Sequence, residues 1–381
     1  MNANRVLLII IAFFLVACIA IFPAECIAAA KDGLSDWMNI IVPSLLPFMI
    51  GSNILLRTGI LKPLADFCTP VTTRLFGASG NLFYIFISSA LSGYPMGAKL
   101  AGDLYQSGDI THNDAMRIIN ATSISGPLFI SGAVATSILK FPAAAEYIYF
   151  PHIFSALIAG MLFHFFAYPK TMREYPIIRT GRSEIAGIRV GKVLNDSIMG
   201  SLSTIALIGG FIILFSVFTA ILEKLDVFMV LSWAVNPIFQ LLHLSPDLTH
   251  PLLIGLLEVS NGCIALGGIS GLMAQKILMA TFIITFSGAS IIFQTYSVMS
   301  LAGIKNRYFI PVKITQSVIA VILCVLFLNF LSVSPASFPS GGGGVPSTQA
   351  AVIAGLVFLV PCLVALLMVR KWRSVKKKVH K

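Results

Sequence analysis

Apolar runs long enough to cross a bilayer recur along the whole chain. Val6 to Phe22 is the first, behind Arg5. Further runs cover Trp37–Leu56, Asn113–Leu139, Tyr147–Tyr168, Ile198–Leu222, Ile277–Gly303, Pro311–Leu331 and Ala350–Val369. A helix of about 20 residues spans the hydrocarbon layer, so this pattern predicts an all-helical polytopic membrane protein with about eight full spans. Two more apolar stretches are interrupted at their middles. Ser92-Gly93-Tyr94-Pro95 divides Leu82–Leu104, and Ser260-Asn261-Gly262 divides Pro251–Ser270. Within lipid every backbone polar group needs an internal partner, so such breaks persist only where protein or a wet cavity surrounds them.

Charge then fixes the sidedness. The chain has 381 residues, is 57% hydrophobic and only 11% charged, and carries a formal charge of +11. Its basic residues gather between Lys170 and Lys192 and again from Arg370 to Lys381. Short basic loops face the cytoplasm, so the charge is read as topology and not as a nucleic-acid surface. Both termini are expected on the cytoplasmic side of the cell membrane. If Leu82–Leu104 crossed, the basic segment after Tyr168 would face outside. Treating it and Pro251–Ser270 as re-entrant hairpins restores the pattern.

That choice exposes an internal repeat. Gly51-Ser-Asn-Ile-Leu-Leu56 answers Phe211-Ile-Ile-Leu-Phe-Ser216. A proline-containing amphipathic stretch follows each, at Leu64–Phe76 and Val227–Leu242. Next come a hairpin, a span broken at Ser125-Gly126-Pro127 or Ser287-Gly288-Ala289, and an unbroken closing span. By the charge rule the halves have opposite orientation, and paired discontinuous helices at matched positions point to a transporter's binding site. The expected organisation is a first helix and external loop (1–34), repeat 1 (35–168), a basic cytoplasmic linker (169–196) and inverted repeat 2 (197–331). A Gly/Pro/Ser-rich external linker (332–349) and a last span with its basic tail (350–381) complete the chain.

Candidate chemistry lies at the four breaks. Thr111-His-Asn-Asp114 reads as a capping-box variant that starts a helix at His112. Pro127 stops that helix near Ser123 and suits the first turn of the next. The second half-helix then offers free N–H groups and the positive end of its dipole. Ser92, Gly93 and Tyr94 at the first tip, with Thr122, Ser123, Ser125 and Gly126 at the first break, form one set of candidate ligands. Glu258, Ser260 and Asn261 at the second hairpin, with Ser287, Gly288, Ser290 and Gln294 at the second break, form the other. Serine and threonine hydroxyls that bridge helices would explain several of these equally well.

Glu258 stands out. An ionised group at mid-depth costs at least about 2.5–3.5 kcal/mol and faces a cavity or a partner. It would take a proton, coordinate a cation or accept from a solute hydroxyl; pairing with Lys99 is the structural alternative. Lys99 and Asp103, one turn apart, also read as a local ion pair. Coupling to H+ or Na+ is left open. The six cysteines lack C-x-x-C spacing and read as packing residues, His112, His152, His164, His243 and His250 lack metal-ligand spacing, and no enzyme or cofactor motif is present.

Phe22-Pro-Ala-Glu25, Val42-Pro-Ser-Leu-Leu-Pro-Phe48, Ser92-Gly-Tyr-Pro-Met-Gly-Ala-Lys99, Ser125-Gly-Pro-Leu-Phe-Ile130 and Ile208-Gly-Gly-Phe-Ile-Ile-Leu-Phe-Ser216 carry a resemblance. Over residues 5–331 the chain resembles the YlbJ-type sporulation integral membrane proteins, which belong with the nucleoside-recognition gate domain proteins. The resemblance implies a role in endospore formation, in cortex assembly, and a place in the mother-cell-derived membrane around the forespore. It also implies kinship with concentrative nucleoside carriers in their hairpins and broken helices. The expected activity is secondary transport of a small polar, nucleoside-like solute by alternating access. The alternative is a non-transporting component that meets other sporulation membrane proteins. The expected partners are the lipid bilayer and that solute, with an oligomer left open.

Overall fold

The computed structural model describes residues 3–58, 62–168 and 190–330, and every regular element among them is a helix. The expected last span, the linker before it, the basic tail and residues 169–189 of the basic linker lie outside the described residues. Among the described residues, four helical units are long and apolar enough to cross a membrane, at Ala144–Ala167, Val190–Lys224, Met273–Leu301 and Phe309–Asn329. Two bent pairs raise the number to six: Ala12–Ile21 with Pro23–Asn39, bent by 110°, and Ala65–Phe76 with Asn81–Ser92, bent by 89°.

Helix α1 (Ala3–Ile21) turns sharply into α2 (Pro23–Asp36), with Pro23 in the first turn where its missing N–H costs nothing. The expected external loop before Trp37 is therefore helical. Helix α2 runs on through one wide turn, Trp37–Ile41, into α3 (Val42–Thr58). This long rod lies antiparallel to α9 (Val190–Lys224). Glu25 meets Lys224 at 2.7 Å near one end, and Arg57 meets Asp196 at 3.5 Å near the other. Between them the Trp37 indole donates to the Ile205 carbonyl at 2.9 Å, and the Asn53 amide donates to the Ser201 hydroxyl at 2.9 Å.

The amphipathic stretches become α4 (Lys62–Phe76) and α10 (Val227–Leu241). The first hairpin is α5 (Asn81–Ser92) and α6 (Met96–Gln106), parted at Gly93-Tyr94-Pro95 as the sequence predicts. Helix α7 (His112–Thr122) begins where Thr111 accepts from the Asp114 N–H at 3.1 Å, and stops before Ser123. The chain resumes as the π-wound helix Leu128–Ile138, then α8 (Ala144–Leu162). The second hairpin is α11 (Thr249–Leu257) and α12 (Val259–Gly268). The second broken helix is α13 (Met273–Phe286) and α14 (Gly288–Leu301), and α15 (Phe309–Phe330) closes the described chain.

Two large apolar cores hold most of these elements, with smaller clusters around them. One gathers α5, α6 and α7 with Ile205, Ile208 and Ile212 of α9 and with Ile292, Val298 and Met299 of α14. The other gathers α12, α13 and α15 with Ile130, Val134 and Ala135 beyond the first break. Each broken helix therefore has its first half in one core and its second half in the other. The four breaks lie where the cores meet. The five described cysteines are free thiols, and Cys18, Cys26, Cys263 and Cys324 are buried as packing residues.

Candidate functional site

The first hairpin tip is built on backbone contact. Gly93 donates to the Ser89 carbonyl at 2.7 Å and holds φ +80° with ψ −166°, a conformation essentially reserved for glycine. A Cβ at Gly93 would lie 2.7 Å from the Gly126 nitrogen, and one at Gly126 would lie 3.2 Å from the Gly93 nitrogen. The tip therefore seats directly on the first break. A one-sided counterpart occurs at the same sequence separation, between the second break and Gly255 on the first arm of the second hairpin. A Cβ at Gly288, whose φ is +54°, would lie 2.8 Å from the Gly255 carbonyl oxygen.

The second tip corrects the sequence reading. Ser260-Asn261-Gly262 is not the break; it forms the first turn of α12, and the interruption falls one turn earlier, at Glu258. Glu258 is extended, with φ −138° and ψ 119°, and its Oε2 accepts from the Asn261 N–H at 2.7 Å. A carboxylate that caps a helix start satisfies an orphan donor and complements the dipole. Gly262 instead lets the two arms meet at Gly255. Lys99 does not reach Glu258. It bonds Asp103 at 2.6 Å, the local pair expected from their spacing.

Three of the four breaks, together with α14 beyond the fourth, line a cavity of about 100 Å³. Ser92, Gly93 and Tyr94 line it from the first tip, and Ser125 and Gly126 from the first break. Glu258 and Ser260 line it from the second tip, and Gln294 from α14. Its remaining wall is apolar and includes Ile41, Leu45, Ile208 and Ile212 from the antiparallel rods. Six expected residues stand outside this lining. Thr122 and Ser123 border a smaller void behind Tyr94. Asn261 spends its N–H on Glu258. Ser290 is buried and accepts from the Gln294 amide at 3.2 Å. Ser287 is buried at φ +79°, and Gly288 packs on Gly255.

Two residues that hydropathy absorbed into the closing spans complete the site. His152 on α8 is fully buried, and its Nε2 accepts from the Ser125 N–H at 2.7 Å. Its proton therefore sits on Nδ1, which donates to the Thr285 hydroxyl at 2.9 Å. One imidazole thus ties the first break to the segment just before the second. It also occupies a backbone donor that the sequence left free for a ligand. Lys313 on α15 is likewise fully buried, and its ammonium donates to the Ser123 carbonyl at 3.0 Å, to Gln316 Oε1 at 2.9 Å and to the Tyr94 hydroxyl at 3.4 Å. The Tyr94 hydroxyl in turn donates to the Ile284 carbonyl at 3.0 Å. A lysine in an otherwise uncharged span was the available signal, the same one that singled out Glu258.

No family model and no solved structure matches the chain. Its sequence is 29% identical over 342 residues to the sporulation integral membrane protein YlbJ of Bacillus subtilis (strain 168), covering 86% of this chain and 84% of that protein. The resemblance to the YlbJ-type proteins read from the motifs is borne out. The chain is an all-helical integral membrane protein, similar through most of its length to the YlbJ-type sporulation proteins.

Proposed function

We propose that this protein serves endospore formation as a secondary carrier of a small polar solute, moved by alternating access. The observation that carries this reading is the convergence of two hairpin tips and two broken helices on one cavity that contains Glu258. Inverted repeats with mid-membrane breaks are the usual architecture for such sites. The matched glycine seats, Gly93 on Gly126 and Gly255 on Gly288, support an inverted repeat. So do the antiparallel rods, which begin the two halves. In this reading the chain crosses eight times with both termini cytoplasmic, and Glu258 binds the solute or a coupling ion.

Reporter fusions after Gln106 and after Pro246 test the topology, with cytoplasmic signal expected from the first and external signal from the second. Flux into proteoliposomes, screened with nucleosides and other small polar solutes that raise the unfolding temperature, tests transport. A Ser260→Cys protein should react with a membrane-impermeant thiol reagent from one side, and less so when a stabilising solute is present. No flux, no stabilising solute and no labelling would together overturn the carrier and favour a non-transporting membrane component.

A further inference from the structure

Lys313 lies beside the first break but is not part of the cavity lining. Its head group has a particular chemistry. An ammonium carries three N–H donors and no acceptor. Here three oxygens of three kinds surround it: the Ser123 carbonyl, the Gln316 amide oxygen and the Tyr94 hydroxyl. The Tyr94 ring adds its π face, with the Lys313 nitrogen 5.1 Å from the ring centroid. Ser123 immediately follows α7, so its carbonyl lies at the negative end of that helix dipole. A further oxygen waits nearby, because the Ser123 hydroxyl is buried without a partner. Unwound carbonyls and half-helix C-terminal ends are what membrane carriers use to hold a small cation. Oxygen sets of this type suit hard monovalent and divalent ions.

We propose that Lys313 is a tethered cation that fills, from within the chain, a monovalent-cation site at the first break. The protein accordingly needs no sodium there. Removing the ammonium while leaving room should convert a filled site into one that takes Na+ from solution. This rests on the carrier reading and deepens it by excluding sodium coupling at this one position, but the site would exist whether or not a solute is moved. The test reads stability and not flux, so its failure leaves the transport experiment undecided.

The experiment compares thermal unfolding of the purified full chain in NaCl and in choline chloride at equal ionic strength. The native protein should unfold at the same temperature in both. Lys313→Ala should unfold earlier in choline and recover by several degrees, saturably, in sodium. Ligand binding to the folded state alone stabilises in this concentration-dependent way. Lys313→Met, which keeps the stem volume and so leaves no space for an ion, should be destabilised equally in both salts. Lys313→Ser, which adds an oxygen, guards against an alanine variant too unstable to purify, and should also be rescued by sodium. A sodium-specific, saturable stabilisation of the native protein would overturn the assignment. So would the absence of sodium rescue in both the alanine and the serine variants, including failure to recover either from membranes prepared in sodium.

Discussion

Replacing Gly93 by alanine tests whether the hairpin tip and the first break are held by backbone contact. Two costs are separable. The first is conformational: φ +80° with ψ −166° penalises a side chain by about 1–3 kcal/mol. The second is steric, because the new Cβ would sit 2.7 Å from the Gly126 nitrogen, a backbone atom that moves only if the break moves. Overpacking of this kind costs about 1–3 kcal/mol. Together they predict a loss of about 2–6 kcal/mol if the two terms add. Two controls isolate them. Gly108 shares φ +80° but has open space around its Cβ position, so Gly108→Ala should lose only about 1–2 kcal/mol. Gly126→Ala meets contacts of 3.2 Å without a positive φ, so it reports crowding alone and should lose about 1 kcal/mol. Equilibrium unfolding in mixed detergent micelles, followed by tryptophan fluorescence, measures all three. A Gly93→Ala protein no less stable than Gly108→Ala would refute the close seat of tip on break.

Glu258→Gln keeps an oxygen that can accept from the Asn261 N–H, so stability should change by less than about 1 kcal/mol while coupled flux and spore formation fail; normal spores from this variant would remove Glu258 from the mechanism. His152→Phe should leave the Ser125 N–H and the Thr285 hydroxyl without their partner, costing about 1–3 kcal/mol for each orphaned group, whereas Thr285→Val should cost clearly less; the same unfolding titration ranks them. Lys99→Met should cost no more than about 0.5 kcal/mol and leave flux intact, because the partly exposed Lys99–Asp103 pair lies within one helix; loss of the folded protein would mean that Lys99 bridges the hairpins after all.

The breaks were legible in the sequence wherever their residues act through their own backbone. Gly93, Pro127 and Ser287-Gly288 interrupt helices by local chemistry, and the structure parts there. The second tip was misread because small polar residues resemble a break. Ser260-Asn261-Gly262 stays helical because the preceding carboxylate caps it, and Gly262 serves close packing on Gly255. Lys313 and His152 escaped for the opposite reason. The charge of Lys313 was a local signal, but the roles of both residues come mainly from partners distant in the chain, Ser123 and Tyr94 for Lys313 and Ser125 and Thr285 for His152. Hydropathy averages a single lysine or histidine into an apolar span, and partners at long range are invisible to periodicity. The unbroken closing spans therefore looked inert, although they neutralise the breaks.

The crossing of the broken helices between two cores has a consequence for biogenesis. Ile130, Val134 and Ala135 leave the ribosome early with α8, yet most of the core that receives them comes from the second half, chiefly α12, α13 and α15. The first core in turn stays open until Ile292, Val298 and Met299 arrive. Neither half can finish its interior alone, so the two must mature together, late in synthesis. A chain stopped after residue 168 would carry an orphaned half-helix and an unfilled groove, marks by which membrane quality control recognises an incomplete product. Supplied as two separate polypeptides, the halves should each be degraded alone and persist only when made in the same cell.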